Sequence, residues 1–294
     1  MEVLILELKL VGGLGNQLHG IAAGIAISEF KQIPVRFNAQ QIPFGSNPGR
    51  RLLVNQLNLG VKDLKIADSR YAPFLGYLFS ASDKFRIPIR RLHQERGEVW
   101  RDSGAKPSEL LPQIPDSGKI VGHFLDFQWA ELAIRGGMKF QGLRRPLGLE
   151  AEKLLKQITP ESIAIHARFG DFKKNKPLFP ILDLNFYRRA LQNFDSPNDY
   201  WLFTDDIKSA HETLGTSFMS KLRVIPGKRI KDIEAFFLLS NFKQIVTSNS
   251  TFSSWAAFFA EKNWQSKVVT PIPHMYGEWE DRLPSTWTRI GIFQ

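Results

Sequence analysis

Not one of the 294 residues is cysteine. Disulfide staples and thiolate-held metal are therefore excluded. No apolar run approaches the roughly 18 residues of a membrane span. The apolar opening, MEVLILELKLV, is interrupted by Glu2 and Glu7 and carries no basic region before it. It reads as a first buried strand, not as a signal peptide or a transmembrane helix, and a cytoplasmic protein is the expectation. Internal repeats and low-complexity tracts are also missing. So are zinc-finger spacing and an RNA-recognition pattern, which argues against nucleic acid as a partner. There is no D-x-D pair to hold a divalent metal and no Gly-Lys-Ser/Thr to make a P-loop. Acidic charge is the scarcer sign: 29 Asp and Glu against 39 Lys and Arg leave a net charge of +10. Such an excess favours an anionic partner. The densest basic stretch, Lys84 to Arg101, is either a solvated face or a peripheral contact to anionic membrane lipid or an acidic acceptor.

What is present is ordinary globular composition, 43% hydrophobic and 23% charged. The length suits one large domain or two of roughly 150 residues. The first 37 residues read strand, glycine loop, helix, strand, a βαβ unit that implies parallel pairing. Residues 38 to 115 are less regular, with a predicted helix near 72–82. KIVGHF (119–124) is a further predicted strand. From about residue 145 the alternation is regular. Strands are predicted at 162–167, 199–204, 221–226, 243–248 and 267–271, with helices at 148–158, 185–194, 208–214, 232–242 and 253–263. That rhythm specifies a second doubly wound parallel sheet, so the chain divides at 1–145 and 146–294.

Four segments could carry chemistry. The first is VGGLGNQ, Val11 to Gln17. It fails the dinucleotide fingerprint, because the third glycine falls on Leu18 and no acidic residue ends the next strand. Gly13 and Gly15 either make only a tight turn with Asn16 capping the helix, or let the backbone approach a ligand closely. The second is IAIHARFGDF, which delivers His166, Arg168 and Asp171 to the end of a buried strand. Arginine is suited to clamp a pyrophosphate, and Asp171 could orient it or cap the next turn; a purely structural Arg–Asp pair is the bland alternative. The third, WLFTDDI, ends a strand with Asp205 and Asp206, as nucleoside acceptors or as helix caps. The fourth, IVTSNSTFSSWAAFF, places Ser250, Thr251 and Phe252 where a helix begins. That is an anion site, a cap, or both. Asn249-Ser250-Thr251 also matches a glycosylation sequon, discounted at a strand–helix junction.

In this order, GGLGNQ, H-x-R-x-G-D, a strand ending in Asp-Asp and N-S-T-F-S-x-W resemble the α-1,2-fucosyltransferases of glycosyltransferase family 11. They resemble the protein O-fucosyltransferases more distantly. The likeness covers the C-terminal half nearly end to end, the first 35 residues or so, and weakly GHFLDFQW (122–129). It implies an α/β, GT-B-like architecture, two Rossmann-like doubly wound domains facing a cleft. The first is the acceptor-side domain and the second binds the GDP-sugar. The implied reaction moves L-fucose from GDP-β-L-fucose to a sugar hydroxyl, typically the 2-OH of galactose, with inversion and with neither metal nor cofactor. By the same resemblance Arg168 binds the β-phosphate and stabilises departing GDP. Ser250, Thr251 and Phe252 hold the pyrophosphate, His166 and one of Asp205 or Asp206 meet the nucleoside, and Asn16 points to the fucose–phosphate bond. His19, beside the loop, could accept a proton near neutral pH. The family carries an aromatic residue there, which favours packing.

The chain departs from that pattern at three places. Phe169 stands for the second arginine of H-x-R-R-G-D, Ser254 for the first Trp of F-S-W-W, and Leu125 for the Gln of a GYFQS-like segment. The alternatives left open are a transferase using another GDP-sugar or an unusual, lipid-linked or anionic glycan acceptor, and a non-catalytic GDP- or carbohydrate-binding protein on the same fold.

Overall fold

The structure, a computed structural model, describes residues 5–40, 42, 50–61, 64–67, 99–170, 172, 178–195, 199–227, 229–276 and 282–292. The chain forms two compact units, Met1–Gln141 and Gly142–Gln294. In the first, β1 (Leu6–Lys9) leads through the glycine turn into α1 (Leu14–Lys31) and then β2 (Val35–Asn38). Short strands β3 (Ile66–Ala67), β4 (Val99–Arg101) and β5 (Gly118–Val121) follow, with helices α2 (Pro107–Leu110) and α3 (Gln128–Arg135). Every pairing is parallel and the order is β3-β2-β1-β5-β4. Parallel strands need cover on their faces, and α1 supplies it with a run of buried residues from Leu14 to Ile27. Gly20 and Gly24 let that helix sit close: a Cβ at 20 would lie 2.7 Å from Leu10 Cδ2, and one at 24 only 2.3 Å from Phe37 Cε1.

The second unit begins with α4 (Leu149–Leu155) and β6 (Ser162–Ala167). Then come α5 (Leu184–Leu191), β7 (Asp199–Thr204), α6 (Ile207–Leu214), α7 (Thr216–Met219) and β8 (Leu222–Val224). The chain continues with α8 (Asp232–Leu239), β9 (Gln244–Val246), α9 (Thr251–Trp264), β10 (Lys267–Ile272) and β11 (Thr288–Gly291). This sheet is also wholly parallel, in the order β11-β10-β9-β6-β7-β8. Counted from β6, that is the 3-2-1-4-5-6 order of a Rossmann sheet, and the direction of winding reverses between β6 and β9. All six residues of β6 are buried, as a central strand requires. Ile163, Ile165, Phe169, Phe186, Leu202 and Val246 pack together beside it. Each such side chain contributes about 1.5–3 kcal/mol by leaving water. The two Rossmann-like parallel sheets are the pair expected of a GT-B-like chain.

Several elements depart from expectation. The strand predicted over 119–124 stops at Val121, because Phe124 takes a left-handed backbone with φ of 49°. The short elements β3, β4, α2, α3, α7 and β11 were not predicted; the longest of them, α3, has eight residues and buries Trp129, Ala130 and Ala133 on one face. The helix predicted near 72–82 lies outside the described residues.

Candidate functional site

The switch point of the second sheet gathers the H-x-R segment and the N-S-T segment. Arg168 leaves the end of β6, and its Nη1 lies 3.1 Å from Asp205 Oδ2, just past β7. The Asp205 carboxylate also accepts the backbone N–H of Phe169 at 2.9 Å and of Gly170 at 3.1 Å. One carboxylate thus fixes the turn and the guanidinium together. A Cβ at 170 would stand 2.6 Å from Asp205 Oδ2, so a side chain there would push that carboxylate aside. Arg168 is further confined by the ring of Phe172, 5.9 Å from its guanidinium carbon. About a quarter of its side chain stays accessible (23%), enough to reach a ligand.

His166 lies one residue before the end of β6. Its Nδ1 is 2.8 Å from Ser248 Oγ, which ties β6 to the turn after β9. The ring stacks on Phe252 at 5.6 Å and its carbonyl accepts the Tyr187 hydroxyl at 3.2 Å. Burial, and then the nearby Arg168 charge, push the imidazole pKa down to about 3. His166 is therefore neutral at physiological pH. It can offer a hydrogen bond through Nε2 but no charge.

Helix α9 starts from Ser250, whose Oγ accepts the Phe252 N–H. The Ser253 and Ser254 hydroxyls turn back on the Ser250 carbonyl, both at 3.1 Å. Thr251 and Phe252 are half-buried at the first turn, which holds no acidic side chain. An anion would meet the positive end of a 14-residue helix here.

The remaining predicted residues fall as follows. Asp206 is a cap: its carboxylate accepts the Ser209 N–H at 3.0 Å and the Ser209 hydroxyl at 2.6 Å. Asp171 lies outside the described residues, as does the basic stretch up to residue 98. Phe169 points inward and is fully buried, so the position of the second arginine is a core position here. Among the described residues no cluster of three or more His, Asp or Glu could hold a metal ion, and no helix is long and apolar enough to cross a membrane.

In the first unit, Gly12 has φ of 69°, and Asn16 folds back so that a Cβ at Gly12 would touch its Nδ2 at 2.7 Å. The cap position of α1 is Gly13, without a side-chain cap, so Asn16 does not cap this helix. Gly15 is buried in the first turn. Gly13 makes room for a cation: a Cβ there would lie 2.3 Å from Arg50 Nη1. The residue that fixes this arrangement is Gln17. Its Nε2 donates to the carbonyls of Gly12 (3.0 Å) and Arg51 (2.9 Å), and its Oε1 accepts from Leu53 and Val54 N–H. Sequence reasoning missed Arg50, since only the fold brings residues 50–54 onto the turn. His19 is 1% exposed and packs edge-on against Phe127 at 5.0 Å. Burial, helped by His123, drives its pKa down to about 3 against a hydrogen bond at the Phe124 backbone. This is the enclosed, packing position.

Comparison with known proteins finds relatives of this chain. Residues 122–272, just over half of the chain, match the model of "Glycosyl transferase family 11". A relative matching along almost its full length is an alpha-1,2-colitosyltransferase of Escherichia coli. It is 24% identical over 302 residues, covering 97% of this chain and 99% of the relative. Among solved structures, the fucosyltransferase NodZ from Bradyrhizobium aligns with a TM-score of 0.49 at 11% identity, over 88% of this chain and 94% of that one. POFUT1 in complex with GDP aligns with a TM-score of 0.49 at 9% identity, over 91% and 98%.

Proposed function

The chain belongs to glycosyl transferase family 11 and is a glycosyltransferase, and from that premise we propose that it moves L-fucose from GDP-β-L-fucose to a glycan hydroxyl, with inversion and without metal. The observation that carries this reading is the clamped Arg168 at the reversal of a 3-2-1-4-5-6 sheet, tied through His166 and Ser248 to the turn that opens α9. Ligands of such sheets bind outside the carboxyl ends of the strands at that point. The diphosphate rests on the Ser250–Phe252 turn and Arg168. Asp205 positions Arg168, and His166 meets the donor as a neutral hydrogen-bonding group.

Cleavage of the sugar–phosphate bond puts negative charge on GDP. A permanent cation and a helix N-terminus already in place stabilise that charge more than they stabilise bound substrate, which lowers the barrier. The first unit takes the acceptor, with galactose 2-OH as the first candidate. Turnover of GDP-fucose, read as GDP release, should fall roughly 100- to 1000-fold in Arg168→Ala. A near wild-type rate would remove Arg168 from this role.

A second reading has its own support. The full-length relative is a colitosyltransferase, and colitose is L-fucose without its 3-hydroxyl. GDP-colitose is then the donor, with the same leaving group and the same contacts to it. Rates with the two donors, measured side by side, separate the readings. A protein that binds GDP and turns over neither donor would instead be a binding protein on this fold.

A further inference from the structure

On the β10 side of the N-S-T turn, two polar side-chain atoms of the second unit have no partner among the described residues. One belongs to Asn249, the residue before the cap of α9, which is 5% exposed. Its Nδ2 donates to the Pro180 carbonyl at 2.9 Å and to the His274 carbonyl at 3.1 Å. Both amide hydrogens are thereby placed, the orientation of the amide is fixed, and Oδ1 is left as an unpaired acceptor. Buried polar atoms are nearly always paired, so an orphan of this kind calls for a partner from outside the chain.

The other belongs to His274, two residues past β10 and 8% exposed. Its Nε2 is 2.9 Å from Thr270 Oγ1, and the Thr247 hydroxyl donates to the same Oγ1 at 2.9 Å. Thr247 and Thr270 are fully buried, and each hydroxyl has one hydrogen to place. Both are placed when Thr247 donates to Thr270 and Thr270 donates to Nε2. Nε2 is then the acceptor of the ring, and the imidazole proton sits on Nδ1. Burial lowers the His274 pKa to about 4, so the ring is neutral at neutral pH and keeps that tautomer. The Nδ1–H is a donor that meets no acceptor among the described residues.

An unpaired acceptor and an unpaired donor, on two residues joined by a hydrogen bond, suit a hydroxyl, which can donate to one and accept from the other. A diphosphate oxygen only accepts. The carboxyl edge of the sheet runs β10, β9, β6, β7. With the nucleoside towards His166 on β6 and the diphosphate on the turn after β9, the sugar end of the donor extends to the β10 side. We propose that Asn249 and His274 read a hydroxyl of the donor sugar, which accepts from His274 Nδ1–H and donates to Asn249 Oδ1, with Thr247 and Thr270 as the positioning residues that hold the tautomer. The assignment rests on the glycosyl-transfer reading above and adds a specificity to it. A site built to hydrogen-bond a hydroxyl rejects an analogue that lacks it, because the buried groups are then left unpaired.

The test is calorimetric titration of GDP, GDP-fucose and GDP-colitose into the full chain, without acceptor. His274→Phe keeps a ring and removes the donor. It should weaken the GDP-sugar that the wild type prefers by about fivefold to tenfold and leave GDP within about twofold. Lost packing alone would weaken GDP and GDP-sugar alike, so the ratio of the two Kd values is the readout. His274→Asn, whose amide N–H replaces Nδ1–H, should bring that ratio back to within about threefold of wild type. Nitrogen-15 spectra of the wild-type histidines should show His274 as the Nδ1–H form, with Nδ1 shifting when GDP is exchanged for the GDP-sugar. In Thr270→Val the Nε2–H form should appear. A Kd ratio unchanged in His274→Phe, or a wild-type Nδ1 resonance identical with GDP and GDP-sugar, would overturn the assignment. A wild type that binds neither GDP nor either GDP-sugar would overturn the donor reading, and this inference would fall with it.

Discussion

Arg168 is oriented by its own chain: Asp205 takes its guanidinium and two N–H groups of the same turn. In Asp205→Asn the amide NH2 must face one of those donors, so the turn loosens. GDP-sugar turnover should drop at least about tenfold, with an urea midpoint little changed for so accessible a group. Turnover equal to wild type would show that Arg168 needs no such support. At this scale the sequence was legible where a polar residue ends a buried strand, as His166 and Arg168 do. It was not legible where a partner comes from the next strand, because register decides which carboxylate arrives. Asp205 and Asp206 are adjacent and chemically identical, yet one braces Arg168 and the other caps α6. Gln17 shows the same limit: its four hydrogen bonds join residues 12 and 51–54, a pairing no local pattern records.

The helix–sheet contact of α1 gives an element-scale prediction whose sign opposes simple propensity. A glycine inside a helix costs about 1 kcal/mol relative to alanine, so Gly24→Ala would stabilise an isolated helix. Against β2 the added methyl meets the buried Phe37 ring at 2.3 Å. Overpacking of this kind costs about 1–3 kcal/mol, and urea unfolding should show net destabilisation. A gain in stability would mean that Phe37 moves aside freely. The elements themselves were legible in proportion to their length and pattern. SIAIHA and DYWLFT fold as strands with the predicted bounds, because each holds an apolar run of its own. KIVGHF loses its last three residues because Asp102 claims the Phe124 N–H and turns the chain. β11 pairs with β10 through a sequence, TRIG, that has no apolar run of its own.

On the scale of the whole molecule, three histidines among the described residues are buried in neutral form: His19 in the first unit, His166 and His274 in the second. Burial holds their pKa values to about 3, 3 and 4. In the unfolded chain each would protonate near pH 6.5. Below that pH the unfolded state binds protons that the folded state refuses. Stability is therefore fully present above about pH 6.5 and declines as pH falls towards 4, by up to about 1.4 kcal/mol per pH unit for each histidine. Urea unfolding at pH 7.5 and pH 5.0 should show the lower value at pH 5.0. Equal stability at both would mean that these imidazoles take up protons while folded. The plan of two parallel sheets was legible in the alternation of strands and helices, which needs no tertiary information. The strand order within each sheet was not, and it is the order that puts Arg168 and the N-S-T turn at one reversal. The central claim is that this reversal is the GDP-sugar site. It is tested most directly by calorimetric titration of GDP into wild type and Arg168→Ala. One saturable site is predicted in the wild type, with a Kd at least about tenfold weaker in the variant. Equal affinity in the two proteins, or no binding by the wild type, would contradict it.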